Sequence, residues 1–110
     1  LFDNVNDEAT RRVEMFARVS SYRMKKESIE AAKSMLVQLK PQIMSLPGML
    51  NFINVMNDDG SGYVISVVES EEISNANQDK VQAIWAMFAD HLVEPPKTEG
   101  FTVLMNEAKG

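Results

Sequence analysis

The stretch MLNFINVMNDDGSGYVISVVES, residues 49–70, decides the fold. Two runs rich in β-branched and other apolar residues flank a turn rich in Asn, Asp and Gly, and this arrangement predicts a β-hairpin. In the first run Phe52 and Met56 occupy one alternating set, whereas Ile53 and Val55 occupy the other. Because successive side chains of a strand point to opposite faces, a strand with apolar residues in both sets is predicted to be buried on both faces.

An apolar stripe with helical spacing lies before the hairpin. Its members are Ile29, Ala32, Leu36, Leu39 and Ile43. The steps of three and four between them predict an amphipathic helix. Ser28 or a neighbour is its predicted N-cap, Pro41 predicts a kink or a restart, and Gly48 suits the left-handed conformation that often follows a helix.

A second apolar stripe follows the hairpin. Its members are Val81, Ile84, Trp85, Phe88, Ala89 and Leu92. This spacing predicts a helix from about Asp79 to Val93, which the Pro-Pro pair that follows would end. Asn75 and Gln78, three residues apart, are predicted to form a capping box near its start.

Two further strands complete the pattern, one at residues 15–24 and one at 101–107 after a turn at Gly100. The resulting order predicts an α+β fold of the ferredoxin-like βαββαβ type. In that fold one four-stranded antiparallel sheet carries both helices on a single face. The other sheet face would be apolar and uncovered, so we expect a second copy of the chain to pack against it.

Composition and charge limit the possible partners. We expect one domain at residues 15–107, an N-terminal arm or extension at 1–14 and a tail at 108–110. The net charge of 11 − 16 = −5 and the lack of a basic stripe argue against nucleic acid or an anionic membrane as partner. The sequence has no Cys and no apolar run near the roughly 20 residues of a membrane span, and we expect a soluble cytoplasmic protein.

Four segments resemble the antibiotic-biosynthesis-monooxygenase-like (ABM) domains of the dimeric α+β barrel superfamily. They are FARVSSYRM (16–24), LKPQIMSLPGMLNFINV (39–55), VISVVESEE (64–72) and IWAMFADHL (84–92). The resemblance covers nearly all of residues 15–107. It concerns fold and spacing rather than a catalytic signature, so it specifies architecture better than activity.

The resemblance implies a homodimer in which two sheets pack face to face into a barrel, with a small pocket between sheet and helices in each subunit. Some members of the family oxidise aromatic polyketides without metal or flavin, and others degrade haem. The haem-degrading members use an Asn on the first strand together with a helical Trp and His. The first strand here, MFARVSSYRM, contains no Asn, which argues against haem chemistry. We expect no cofactor.

The second helix carries the single Trp and the single His of the chain. Trp85 points to the same side as Phe88, which is typical of a core anchor and equally of a pocket wall for a flat aromatic ligand. His91 lies about 120° around the helix from Trp85, at the edge of the stripe. A surface position near the helix C-terminus and a role in ligand binding or catalysis are both open for it.

The first strand is unusually polar for a central strand. Alternation places Arg18, Ser20 and Tyr22 on one side of this strand. Asn54 is likewise a polar residue, in the otherwise mostly apolar second strand. Because buried polar groups need partners, these side chains either line a polar cavity or bond within the core. The sequence leaves both interpretations open.

The acidic residues after the third strand are Glu69, Glu71, Glu72 and Asp79. Without a nearby His, we interpret them as a solvated helix start that suits the helix dipole, and we predict no metal site.

The sequence therefore predicts a homodimeric ABM-like domain that binds a small apolar or aromatic molecule, with cofactor-independent monooxygenation as its candidate activity. Under this hypothesis Trp85 walls the pocket, and Arg18, Tyr22 or His91 holds the substrate oxyanion or takes its proton. The alternatives are a non-catalytic binding or structural dimer and a haem-binding protein. A pocket filled by Met and Phe side chains would exclude the enzyme.

Overall fold

Four strands form one antiparallel sheet: β1 (Phe16–Arg23), β2 (Met49–Met56), β3 (Ser61–Val68) and β4 (Lys97–Thr102). The computed structural model describes residues 14–110, and the predicted arm at 1–14 lies outside them except for Glu14. The helices are α1 (Ile29–Met44), α2 (Glu71–Ala76) and α3 (Gln78–Met87), with 3₁₀ turns at Lys26–Ser28 and Ala89–His91. The strand order β2-β3-β1-β4 confirms the predicted ferredoxin-like α+β fold.

The predicted hairpin is confirmed, and it orients the two faces of the sheet. β2 and β3 pair with Ile53 opposite Ile65 and Val55 opposite Tyr63, and the exposure of Ile53, Val55 and Tyr63 shows that their set points away from the helices. The other set, which includes Phe52, packs against the core. Asn57 donates its backbone N–H to the Ser61 carbonyl, 2.8 Å away, and so closes the turn.

The core lies between the sheet and the helices α1 and α3. Its buried members are Tyr22, Met24, Ala32, Ile43, Leu46, Ile84, Phe88 and Leu92. They come from β1, from both helical stripes and from the segments that follow the helices. Both helices therefore cover the same face, as the apolar spacing predicts.

The first helix begins at Ile29 with Ser28 in the cap position, but the Ser28 side chain makes no capping hydrogen bond. The helix continues through Pro41 to Met44, so the restart considered at that proline does not occur. Gly48 has a φ of 72°, the predicted left-handed conformation, and the chain turns there into β2.

The second helix differs from the prediction at both ends. A separate helix, α2, begins earlier, and its cap is Ser70, whose Oγ accepts the backbone N–H of Ile73 at 3.2 Å. The capping box predicted for Asn75 and Gln78 is therefore wrong. Helix α3 ends at Met87, six residues before the predicted end, because the chain then extends and pairs with the end of β1.

The last strand lies earlier in the chain than predicted. β4 ends at Thr102, and its exposed residues pair with β1 at the sheet edge. The apolar residues that suggested a strand at 101–107 mostly follow β4, and Leu104 is 95% exposed. Gly100, predicted as a turn, is a strand residue opposite Arg18, where its missing side chain makes room for the Phe16 ring.

The outer face of the sheet, opposite the helices, is apolar and half exposed. Its exposed members are Ile53 (49%), Val55 (50%), Tyr63 (53%) and Phe101 (48%). The segment after β4 crosses one end of the sheet, where Asn51 of β2 donates from Nδ2 to Asn106 Oδ1 at 2.8 Å. None of the helices within residues 14–110 is long and apolar enough to cross a membrane.

We predict that Gly62→Ala destabilises the protein by about 1–3 kcal/mol, the usual cost of overpacking. An added Cβ at this position would lie 2.6 Å from Tyr22 Oη and closer still to the Val55 carbonyl. Urea unfolding followed by circular dichroism measures the change. Gly110→Ala is the control, because nothing lies within 4 Å of its added methyl group. Equal stability of the two variants would contradict this account of the position.

Candidate functional site

A cavity of about 170 Å³ lies between the inner face of the sheet and the helices. The sheet side contributes polar groups from β1, and the helical side contributes Leu36, Trp85 and Phe88. An apolar cavity of about 150 Å³ holds a benzene ring. The space is therefore large enough for one aromatic ring and is not filled by Met and Phe side chains.

Three side chains of β1 line this cavity because strand alternation points every second residue inward. They are Arg18, Ser20 and Tyr22. The two long side chains lie opposite small residues on the neighbouring strands: Arg18 faces Ser66 and Gly100, and Tyr22 faces Gly62. The small neighbours leave room for the long polar side chains on an otherwise apolar face.

Arg18 is held by the start of the second helical segment. Its Nε donates to Ser74 Oγ at 2.6 Å, and its Nη2 donates to Asn75 Oδ1 at 2.6 Å. With its amide oxygen turned toward Arg18, Gln78 lies 2.9–3.1 Å from the guanidinium nitrogens. The guanidinium carbon lies 5.4 Å from the centroid of the Phe16 ring, within the range of a cation–π contact. These contacts fix the guanidinium at one end of the cavity.

Arg18, Ser20 and Tyr22 form a polar row along β1, and Tyr22 lies at the end opposite Arg18. Its hydroxyl donates to Asn54 Oδ1 at 2.7 Å and also lies 3.1 Å from the Val55 carbonyl oxygen. Burial raises the pKa of Tyr22 above its ordinary value of 10.0, because the ionised phenol is poorly solvated there. Tyr22 therefore remains protonated at neutral pH, which suits a hydrogen-bond donor and not a base.

Ser20 lies between Arg18 and Tyr22 on the strand. Its hydroxyl is 2.7 Å from Thr98 Oγ1 of β4. Ser20 is only 4% exposed, so this bond satisfies a hydroxyl that would otherwise be costly to bury. It lines the cavity and bonds within the core, which are the two interpretations that the sequence leaves open.

The aromatic wall consists of Trp85 and Phe88. Phe88 is buried in the core, and Trp85 is half-buried with its ring centroid 6.2 Å from that of Tyr22, at an interplanar angle of 54°. Such tilted packing is favourable for aromatic pairs. Both residues belong to the core and also line the cavity.

His91 lies apart from these residues. It belongs to the 3₁₀ turn after α3, its carbonyl accepts the Lys25 N–H at 2.8 Å, and it is not among the residues lining the cavity. The predicted helix would have carried His91 on the edge of the apolar stripe, but the helix ends at Met87, before that residue. The structure thus brings Arg18 and Tyr22 to the same cavity without His91.

Several site residues were missed in the sequence. Ser74 and Gln78 hold Arg18, and their spacing of four on helical segments was the available signal. Thr98 was missed because β4 was predicted too late in the chain. The acidic residues after β3 are exposed, and residues 14–110 hold no cluster of three His, Asp or Glu side chains that could bind a metal ion.

No family model and no curated protein matches the sequence, whereas solved structures match its fold. A protein of unknown function from Nitrosomonas europaea, NE2512, has a TM-score of 0.75 at 17% identity, over 90% of this chain and 98% of its own. A putative antibiotic biosynthesis monooxygenase from the same organism has a TM-score of 0.71 at 18% identity, over 82% and 90% of the two chains.

A third structure, a putative antibiotic biosynthesis monooxygenase from Caulobacter crescentus, has a TM-score of 0.71 at 14% identity. It aligns over 91% of this chain and 99% of its own. The resemblance to ABM-like domains is therefore confirmed at the level of the fold. Identities this low do not carry an activity across, since one fold supports many functions.

We predict that Tyr22→Phe lowers the free energy of unfolding by about 0.5–1.5 kcal/mol near neutral pH, because it removes the hydrogen bond to Asn54. The raised pKa adds a pH dependence. The native state holds the Tyr22 proton more tightly than the unfolded chain, so this contribution is full below pH 10.0 and is lost as pH rises through the folded pKa.

The gap in stability between wild type and Tyr22→Phe should therefore shrink on the alkaline side of pH 10.0. Chemical denaturation at several pH values measures it, and Tyr63→Phe, which removes an exposed hydroxyl from the outer face, is the control. A gap that stays constant across this range would contradict the burial argument.

Proposed function

We propose that this ABM-like chain forms a homodimer and binds a small apolar or aromatic molecule in the cavity between sheet and helices. The cavity is the observation that carries the proposal. An unfilled space of about 170 Å³ beside Trp85 and Phe88, with a few polar groups on one wall, has the composition typical of a ligand site.

Cofactor-independent monooxygenation is the activity that we propose for a bound substrate. Two of the three similar structures described above are putative antibiotic biosynthesis monooxygenases. The substrate would be an electron-rich hydroxylated aromatic that reacts as its keto tautomer, in which the oxidised ring carbon carries two hydrogens. One atom of dioxygen enters that carbon as a carbonyl oxygen, and the other leaves with the two hydrogens as water. All the electrons come from the substrate.

The side chains at the cavity suit this reaction in different ways. Tyr22, protonated at neutral pH, can donate to an oxyanion that develops on the substrate, provided that its proton turns away from Asn54. Trp85 and Phe88 would hold the ring in a dry environment. None of the three acts as a base, so the substrate must be acidic enough to ionise readily.

The alternative is a dimer that binds without turnover or has a purely structural role. The same cavity supports binding, and only turnover separates the two functions. Haem is a weaker candidate, because His91 does not line the cavity and a porphyrin is several times larger than the single ring that the space accommodates.

The proposed dimer buries the outer face of the sheet. A half-exposed apolar surface of this kind is typical of an interface, and a second copy offers the same apolar face in return. We predict that Ile53→Lys, which places a charge in the middle of that surface, converts the dimer to a monomer. Sedimentation velocity at micromolar concentration measures the change.

The matched control is Val37→Lys on α1, where the side chain is 74% exposed on the helical side of the subunit. This variant should remain dimeric. A wild-type chain that sediments as a monomer, or an Ile53→Lys variant that dimerises as tightly as wild type, would contradict the proposed interface.

Turnover is tested with purified, metal-depleted protein and a panel of hydroxylated aromatics, by following oxygen consumption and product mass. We expect a gain of one oxygen atom and a loss of two hydrogens in the product. Phe88→Ala should reduce turnover by about tenfold or more, because it removes part of the wall that positions the ring. Binding without oxygen consumption by any of these compounds would favour the non-catalytic alternative.

A further inference from the structure

We infer that the cavity selects small organic anions, with Arg18 binding a carboxylate or an ionised phenol and the aromatic wall holding the apolar body. This inference rests on the proposed binding function and names the chemical class of the ligand. Four observations carry it: the neutral partners of Arg18, the geometry of its guanidinium, the polarity of the cavity along β1, and the charge of the whole chain.

Arg18 is a cation whose partners within residues 14–110 are all neutral. Its hydrogen bonds go to a serine hydroxyl and to carboxamide oxygens. Within residues 14–110 the ion pairs are Arg23–Asp59 and Lys33–Glu30, so no carboxylate of this part of the chain lies within 4.0 Å of Arg18. A half-buried cation that has no counter-ion in the described part of the chain and lies beside a largely apolar cavity favours an anionic ligand.

The guanidinium is held in place and still has donors to offer. A guanidinium carries five N–H groups in a planar fork, and the bonds to Ser74, Asn75 and Gln78 occupy three of them. Since Gln78 also lies 3.1 Å from Nη1, one hydrogen of Nη1 and one of Nη2 remain for a ligand. A fixed cation costs less entropy on binding than a mobile one.

Along β1 the cavity is charged at the Arg18 end and aromatic at the Tyr22 end. Arg18 and Tyr22 are four residues apart on the strand, about 13 Å between their Cα atoms, and the Ser20–Thr98 hydroxyl pair lies between them. Trp85 packs against Tyr22 at the far end. A ligand that spans this space carries its charge at one end and its ring at the other, and the volume limits the body to about one ring.

The overall charge makes non-specific capture of anions unfavourable. The chain has a net charge of −5, so its long-range field repels anionic molecules. A measured preference for an anion over a neutral molecule of the same shape would then have to come from a local cation. Among the cavity-lining residues of the part of the chain that the structure describes, Arg18 is the one cationic side chain.

Phenylacetate and phenylacetamide test the inference, because they have nearly the same shape and differ in charge. Their affinities are measured by calorimetry on the full chain. We expect wild type to bind phenylacetate at least about tenfold more tightly, as charge-assisted bonds from a guanidinium favour the carboxylate. Arg18→Gln should abolish this preference, whereas Lys80→Gln, the same charge change on the exposed side of α3, should retain it.

Arg18→Lys gives a second measurement if Arg18→Gln does not fold. The variant keeps the charge and loses the planar fork, so the preference should fall at least about threefold without disappearing. Circular dichroism establishes that each variant is folded before binding is measured.

The outcomes separate this inference from the proposed function. Equal affinity of the two probes for wild type, or a preference that survives in Arg18→Gln, overturns the anion selection and leaves the binding cavity intact. If neither probe binds, nor any neutral aromatic molecule of one ring, the proposed binding function fails and the inference fails with it.

Discussion

Packing of α1 and α3 onto the inner face of the sheet is the interaction on which the other features of this molecule depend. It requires that β1, β2 and β3 each supply inward apolar side chains. Strand alternation provides them, as in β2, where Phe52 points inward and its neighbour Ile53 points outward. The same alternation places apolar side chains on the outer face, where no helix of residues 14–110 covers them. The fold thus stabilises one side of the sheet and leaves the other available for association.

The inner face is not closed completely, and the cavity is the result. Within residues 14–110 no large side chain is fully buried. Arg18 and Tyr22, at alternate positions of β1, each extend to a hydrogen-bond partner at the tip of the side chain. The helices therefore do not pack directly on the sheet along its whole length. Arg18 reaches the start of the helical segment after β3, and Tyr22 reaches β2. The space between them is bounded by a hydrogen-bonded frame, which resists collapse better than an apolar void would.

The sequence predicts those parts of the structure that depend on local periodicity. The hairpin and the first helix follow from apolar alternation and from a stripe that begins at Ile29. β4 was misplaced because it carries few apolar residues and exists through its pairing with β1, a long-range interaction that local patterns do not reveal. The end of α3 was also misplaced, because the helical spacing of apolar residues continues to Leu92, whereas Leu92 lies beyond the helix and pairs with Met24.

The candidate site shows the same division. Alternation alone placed Arg18, Ser20 and Tyr22 together, since neighbours on one strand need no tertiary information. The groups that complete the site, Ser74 and Thr98, lie more than 50 residues away in sequence from their partners, with separations of 56 and 78. The phase of His91 was derived from a helix that does not extend to that residue, which is why the imidazole lies outside the cavity lining.

The glycines beside the polar row set the shape of the cavity from its ends. An added methyl group at Gly100 would lie 2.5 Å from the Phe16 ring, behind the guanidinium, and one at Gly62 would press on the Tyr22 hydroxyl. A larger residue at either position would displace an aromatic ring, Phe16 or Tyr22, and so change the length of the cavity without a change in any helix. Chains of this fold that have evolved toward differently sized molecules are therefore expected to vary first in the strands that flank β1.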